Sequence, residues 1–207
     1  MNSYNNGRGR PPELEKFIKD LKKASKFLGP LAVIVFILVF GKTVFYTVEP
    51  DEEAVIIRLG KFEGTYGPGA HFKIPLGIDE VIKVKTKKVH QQEFGFRTSN
   101  IRSRRTTYSN NSFDDESLML TGDLNVADVE WVVQYQISDP FKFLFQTSSP
   151  ETNIRDVSES IMRRVVGDKL VNEVLTTGRV QIASDAKDLM QEVIDRYDMG
   201  IRVITVK

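Results

Sequence analysis

From Leu28 to Val48 the chain reads LGPLAVIVFILVFGKTVFYTV. Lys42 is the one charge in these 21 positions, and no polar side chain interrupts Leu31–Phe40. A bilayer core about 30 Å thick requires roughly 20 mostly apolar residues in a helix. The stretch meets that length and predicts a transmembrane helix over residues 28–48. Pro30 falls in its first turn, where proline is tolerated, and Phe45 and Tyr46 fall where an interfacial aromatic belt is expected. The 27 residues before it carry seven Lys/Arg against three acids, a local charge of +4, while the remainder holds 22 basic against 25 acidic residues, or −3. A basic flank stays cytoplasmic, so the domain after Val48 is expected on the opposite face of the membrane.

A cleaved signal peptide is the rival reading. Its apolar core is usually about 7–15 residues and ends in a small-x-small site. Here the run is longer, and Gly41-Lys42-Thr43-Val44-Phe45-Tyr46 offers no such site. An uncleaved signal anchor fits better. In the tail, Met1–Pro12 is rich in Asn, Gly, Arg and Pro and predicts disorder. Leu14, Phe17, Ile18 and Leu21 then recur at helical spacing with Lys between them. That pattern fits a basic amphipathic helix at the headgroups or a solvated basic flank.

The 159 residues from Glu49 to Lys207 suit one domain, or two small ones sharing a core. Ala54–Leu59 reads as a strand, and Gly64–Gly69, with three glycines and Pro68, as a turn. Ala70–Pro75 is a short extended piece. Over Val81–Val89, Ile82, Val84 and Thr86 alternate with Lys83, Lys85 and Lys87, the pattern of a half-buried edge strand. The lysine row also suits anionic headgroups. Residues 97–117 are polar and irregular, a mobile loop or a docking loop for a partner. Ala127–Ile137 alternates strictly, with Ala127, Val129, Trp131, Val133, Tyr135 and Ile137 on one face. Leu118–Leu124 before it is its antiparallel neighbour or its own first half.

Asp139-Pro140 opens a helical turn over Phe141–Phe145. Ser149-Pro150-Glu151 predicts a helix start with a hydroxyl N-cap, followed by Ile154, Val157, Ile161 and Val165 at helical spacing up to Gly167. Further helices are expected at Val171–Leu175 and Arg179–Tyr197, the latter with Ile182, Ala186, Leu189, Met190, Val193, Ile194 and Tyr197 on one face. Gly200 stops it, and Ile201–Val206 is a last strand. Strands, then helices, then a strand define an α+β domain.

Chemistry is scarce. Cysteine is absent, which removes disulfides, thiolate metal sites and a Cys nucleophile. His71 and His90 lie in different predicted strands, without partners at the three- or four-ligand spacing a metal needs. No GxSxG is present. A Ser/Lys pair drawn from Ser158, Ser160 and Lys169 remains open. Asp114-Asp115 and Asp51-Glu52-Glu53 fall in expected turns or loops, where carboxylates are solvated. Trp131, Phe94 and Phe96 are expected in the core. No phosphate-binding loop occurs, and a net charge of +1 gives no ground for nucleic-acid binding. No catalytic, cofactor-binding or metal residue is therefore assigned, and no small-molecule substrate is expected.

Three segments carry a resemblance. They are Val48–Asp79 (VEPDEEAVIIRLGKFEGTYGPGAHFKIPLGID), Glu116–Pro140 (ESLMLTGDLNVADVEWVVQYQISDP) and Pro150–Arg179 (PETNIRDVSESIMRRVVGDKLVNEVLTTGR). With the single span before them, they resemble the SPFH/band 7 (prohibitin–stomatin) family. The family features are Pro50-Asp51-Glu52 after the span, Arg58-Leu59-Gly60-Lys61 in the first strand, and Pro68-Gly69-Ala70-His71-Phe72 running on to Pro75. The resemblance implies an SPFH domain over 49–207, on the periplasmic side of a bacterial inner membrane, with the N-terminus cytoplasmic. It implies a non-enzymatic scaffold subunit that joins an HflC-like sister in a ring and regulates the FtsH-like membrane AAA+ metalloprotease. Membrane lipid is a further expected partner. A membrane-associated hydrolase and a lipid-organising module are the alternative functions. The family's long charged coiled-coil helix and C-terminal region are not found in the residues up to Lys207, so assembly through that helix is not expected of them.

Overall fold

The computed structural model of the chain describes residues 30, 41, 44–100, 107–108 and 113–207. Most of the predicted span, residues 28–29, 31–40 and 42–43, falls outside these residues, as do the basic tail and most of the polar stretch around Arg102–Arg105. Among the described residues no helix is long and apolar enough to cross a membrane. The end of the predicted span is not helical: Phe45–Val48 is a strand. Its alternating Phe, Tyr, Thr and Val favour extended backbone.

The described elements run β1 (Phe45–Val48), β2 (Glu53–Arg58), β3 (Lys61–Tyr66), β4 (Gly69–Phe72), β5 (Asp79–Val84), β6 (His90–Phe94), β7 (Thr98–Asn100), β8 (Thr107–Tyr108), α1 (Asp114–Ser117), β9 (Leu118–Leu120), β10 (Val126–Asp128), β11 (Trp131–Ile137), α2 (Pro140–Phe145), α3 (Pro150–Gly167), α4 (Val171–Leu175), α5 (Arg179–Arg196) and β12 (Ile201–Val206). The chain divides into two compact units, one of residues 1–47 and 70–79 and the other of residues 48–69 and 80–207.

In the smaller unit, β1 pairs with β4. The Lys73 N–H donates to Val44 O at 2.7 Å, and the Asp79 carboxylate accepts from the Ile74 N–H at 2.8 Å. Asp79 is buried, but Phe45, Phe72, Ile74 and Leu76 are all exposed.

The larger unit carries two three-stranded sheets, ordered β3-β2-β5 and β12-β11-β6. In the first, Ala54, Val55 and Ile56 of β2 are buried. Antiparallel β3 pairs Gly64 with Ile56 and Tyr66 with Ala54. The expected turn at Gly64–Gly69 therefore begins three residues later, because Gly64, Thr65 and Tyr66 complete the ladder. The β5 strand is the predicted edge, with Val84 buried and Lys83 exposed, and the alternation runs on past its end, with Thr86 buried and Lys85 and Lys87 exposed. The strand ends at Val84, and β6 begins at His90.

Strand β11 forms the centre of the second sheet, antiparallel to both neighbours. The expected face is the buried one: Trp131, Val133, Tyr135 and Ile137. The predicted long strand breaks in two at Val129-Glu130, and β10 pairs antiparallel with β9, Ala127 opposite Met119. Helices α3 and α5 pack on each other, and α5 packs on β12. Ile154, Ile161 and Val165 of α3 and Ile182, Ala186, Met190 and Ile194 of α5 fill the space against the sheet, at the helical spacing a buried stripe requires. Tyr197 lies beyond the end of α5 and is exposed. Pro150 starts α3 as expected, but the Ser149 hydroxyl makes no capping bond. The side-chain cap is on α2, where Asp139 Oδ1 accepts from the Phe141 and Lys142 N–H groups. The arrangement is the α+β fold read from the sequence, built of antiparallel sheets and helices.

Candidate functional site

Among the described residues of the larger unit, a polar cluster is built around Glu116, a residue no sequence pattern assigned a role. Its Oε1 accepts from Arg97 Nη2 at 2.6 Å and from Arg155 Nη1 at 3.1 Å. Its Oε2 accepts from Arg97 Nη1 at 3.0 Å and from the Gly95 N–H at 3.1 Å. The Arg97 guanidinium lies 4.5 Å from the centre of the Phe113 ring, and that of Arg155 lies 4.7 Å over Phe94. Gly95 is required at its position: φ is +81°, and a Cβ would stand 2.8 Å from that of Ser117. Glu93 adds a second tie, accepting from the Thr98 N–H at 2.8 Å and from its hydroxyl at 2.9 Å.

Together these contacts pin both ends of the segment between Arg97 and Glu116 to each other and to α3. The expected irregular loop thus starts and ends on a fixed base and includes the antiparallel β7–β8 pair. Burial pushes the Glu116 carboxyl up, but the hydrogen bonds from Arg97 and Gly95 and the charges of Arg97 and Arg155 outweigh it, and its pKa lies below the ordinary value of 4.5. Glu116→Gln is expected to cost about 2 kcal/mol, the scale of a charge-assisted hydrogen bond. Because the folded-state pKa is depressed, this contribution is complete above 4.5 and disappears as pH falls through the folded value. Urea unfolding of both proteins should show the gap at neutral pH and its closure in acid; a gap unchanged by acid would exclude an ionic cause.

The residues weighed from the sequence do not come together. His71 stacks on Tyr46 at 5.6 Å and His90 on Tyr135 at 5.4 Å, in different strands. Burial, reinforced by the charge of Glu151, raises the Tyr135 phenol to about 12 and keeps it neutral. Ser158 is 1% exposed in the core. The Ser160 hydroxyl donates to Val157 O at 3.0 Å, and Lys169 pairs with Asp185 at 3.7 Å. Asp114 and Asp115 are exposed as expected, whereas Glu52 is buried, 3.9 Å from Lys85. Phe94 and Trp131 are core residues, stacked with centroids 4.5 Å apart, while Phe96 is half-buried. Among the described residues no group of three or more His, Asp or Glu is placed to hold a metal ion.

The description of one protein family, "SPFH domain / Band 7 family", fits residues 46–207. The chain belongs to the SPFH domain / Band 7 family. It is similar to proteins called HflK. The relative from Borreliella burgdorferi is 39% identical over 185 residues, covering 89% of this chain and 58% of the relative. The one from Treponema pallidum is 41% identical over 162 residues, 77% of this chain and 48% of the relative. A third, "Modulator of FtsH protease HflK" from Escherichia coli K12, is 32% identical over 176 residues, 85% of this chain and 37% of the relative. The chain thus spans about half the length of the first two.

Proposed function

We propose that the chain is a non-enzymatic subunit of a membrane scaffold that regulates an FtsH-like AAA+ metalloprotease together with an HflC-like sister subunit. The observation that carries this reading is the similarity, over most of the chain, to proteins called HflK, one of them called a modulator of FtsH protease. The buried Ser158 and the paired Lys169 favour a scaffold over a hydrolase. In this reading residues 1–27 are a cytoplasmic tail, residues 28–48 carry the anchor, with its helix ending before Phe45, and the SPFH domain lies in the periplasm at the inner membrane.

A lipid-organising role has its own support. Phe72 is 76% exposed and Leu76 78%, in the unit that also holds Phe45 and Ile74. Apolar side chains grouped in this way suit the headgroup–acyl boundary. They also suit a scaffold held against the bilayer, so the two roles are compatible.

Affinity purification of the tagged full chain from detergent-solubilised membranes tests the main reading. The expected result is recovery of an ATP-dependent zinc protease and of a second SPFH protein. Recovery of neither, from membranes shown to contain both, overturns it.

A further inference from the structure

Strand β12 is an edge that lacks the usual protection. Among the described residues its one strand neighbour is β11. Five of its six residues are β-branched, Arg202 is its one charge, and it holds no lysine or proline. Short segments of that composition pair readily with other strands. The edge strand of the other sheet, β5, carries Lys83 and runs on into Lys85 and Lys87, a common way of blunting an edge. The Ser138 N–H donates to Gly200 O at 2.9 Å, and Arg202 stands opposite Gln136. By the alternation of an antiparallel ladder, Gly200 and Arg202 then face β11, and the backbone groups of Ile201 and Val203 turn to the open side.

Two of those groups are already taken. Gln191, on α5, lays its side-chain amide along them. Its Oε1 accepts from the Val203 N–H at 2.7 Å, and its Nε2 donates to Ile201 O at 3.1 Å. The Nε2 also donates to Asp195 Oδ1 at 2.7 Å, one turn further along the helix. Only one orientation of the amide satisfies this set, because Ile201 O and Asp195 Oδ1 both need a donor and the Val203 N–H needs an acceptor. An N–H and a C=O are what an added strand would offer at the same two places. Beside the amide, a hollow of about 440 Å³ runs past Ile201, Arg202 and Val203, which leaves room for a segment of chain once the amide is gone.

We infer that the Gln191 amide is a resident substitute for a neighbouring strand and closes the β12 edge to extended polypeptide. Asp195 is a positioning residue that holds the amide at the edge. A side chain tethered to α5 competes at high effective concentration with any incoming segment, and the segment loses chain entropy that Gln191 has already lost in the fold. In the scaffold reading the protein stands beside a protease, where unfolded chain is at hand, and a closed edge leaves that chain uncaptured. The contacts lie within one chain, so the inference does not depend on that reading.

The probe is a fluorescein-labelled peptide with the sequence of Ile201–Val206 between flanking lysines, added to the full chain in lipid nanodiscs. Gln191→Met keeps the reach and the helix preference of the side chain and removes both edge bonds. By fluorescence anisotropy it should bind the peptide about tenfold more tightly than the parent does, a factor that two net hydrogen bonds can supply. Amide hydrogen exchange should place the new protection at Ile201–Val203, and a peptide with proline at its centre should not bind. Equal binding by the parent and Gln191→Met, binding of the proline peptide, or protection of another strand instead overturns the inference. So does a Gln191→Met chain that melts at a lower temperature without gaining the peptide, which is what a purely structural tie would give. The parent alone supplies a check that needs no variant: its Val203 amide should exchange slowly, and exchange at the rate of an open strand edge overturns the inference.

Discussion

Gly200→Ala should unfold the larger unit more readily by about 3 kcal/mol or more, lowering its melting temperature by roughly 10 °C on the scale expected for a domain of this size. Two effects combine. Gly200 sits at φ +65°, where a side chain is strained. An added Cβ would also stand 2.4 Å from Asp139 O, 2.8 Å from Lys142 Cβ and 3.1 Å from the Phe143 N. Two of these are backbone atoms, joined to each other by the Phe143 N–H bond to Asp139 O at 3.1 Å. The Gly200 carbonyl accepts from the Ser138 and Asp139 N–H groups at 2.9 and 3.0 Å, and Asp139 caps α2. The substitution thus strikes the joint where β11 ends, α2 begins and β12 starts. Gly60→Ala is the control. It has a comparable φ of +81° but nothing within 4 Å of the new Cβ, so it should cost only the backbone strain, about 1 kcal/mol. Thermal unfolding of the two variants followed by circular dichroism separates strain from collision; equal losses would show that the collision is relieved by movement.

Phe94→Ala should cost about 4 kcal/mol, as expected for deleting a fully buried aromatic ring. Phe94 is inaccessible to solvent and lies parallel to Trp131, the planes 2° apart. The Arg155 guanidinium also lies over it, so the same ring supports the core and the Glu116 cluster. Loss of the ring leaves a cavity and frees Arg155 from one of its contacts. Trp131 is the one tryptophan in the chain, so its fluorescence reports on this site alone. Denaturant titration by that signal should give the reduced stability. Phe94→Leu, which keeps most of the apolar volume, should recover about half of the loss. Equal stability of Phe94→Ala and the parent would contradict the packing described.

The elements that the sequence disclosed best are those with strong local periodicity. The buried faces of β11 and α5 follow from spacings of two and four residues, because the sheet and the neighbouring helix impose those periods. Boundaries set by distant partners were less legible. Gly64–Tyr66 looks like a turn locally but pairs with β2, and Phe45–Val48 looks like the end of a span but pairs with β4. The Glu116 cluster was not legible at all. Its members are separated by 19 and 39 residues, Glu116 sits in a row of acids that reads as solvated, and Arg155 occupies the polar side of its helix. A charge pair formed across elements leaves no periodic trace along the chain.

Strand order in the central sheet has a consequence for how the protein is made. Strand β11 must find β6 behind it and β12 ahead of it, and its Val132 exchanges both backbone hydrogen bonds with Lys207, the last residue of the chain described. During synthesis, one edge of β11 stays unpaired from the emergence of Ile137 until the residues of β12 are available. Pairing over such sequence distances is slow, and a bare strand edge invites pairing with other chains. The nascent chain therefore has a vulnerable interval that ends only when its last described strand arrives. A chain stopped between α5 and β12 would keep its helices and still expose that edge.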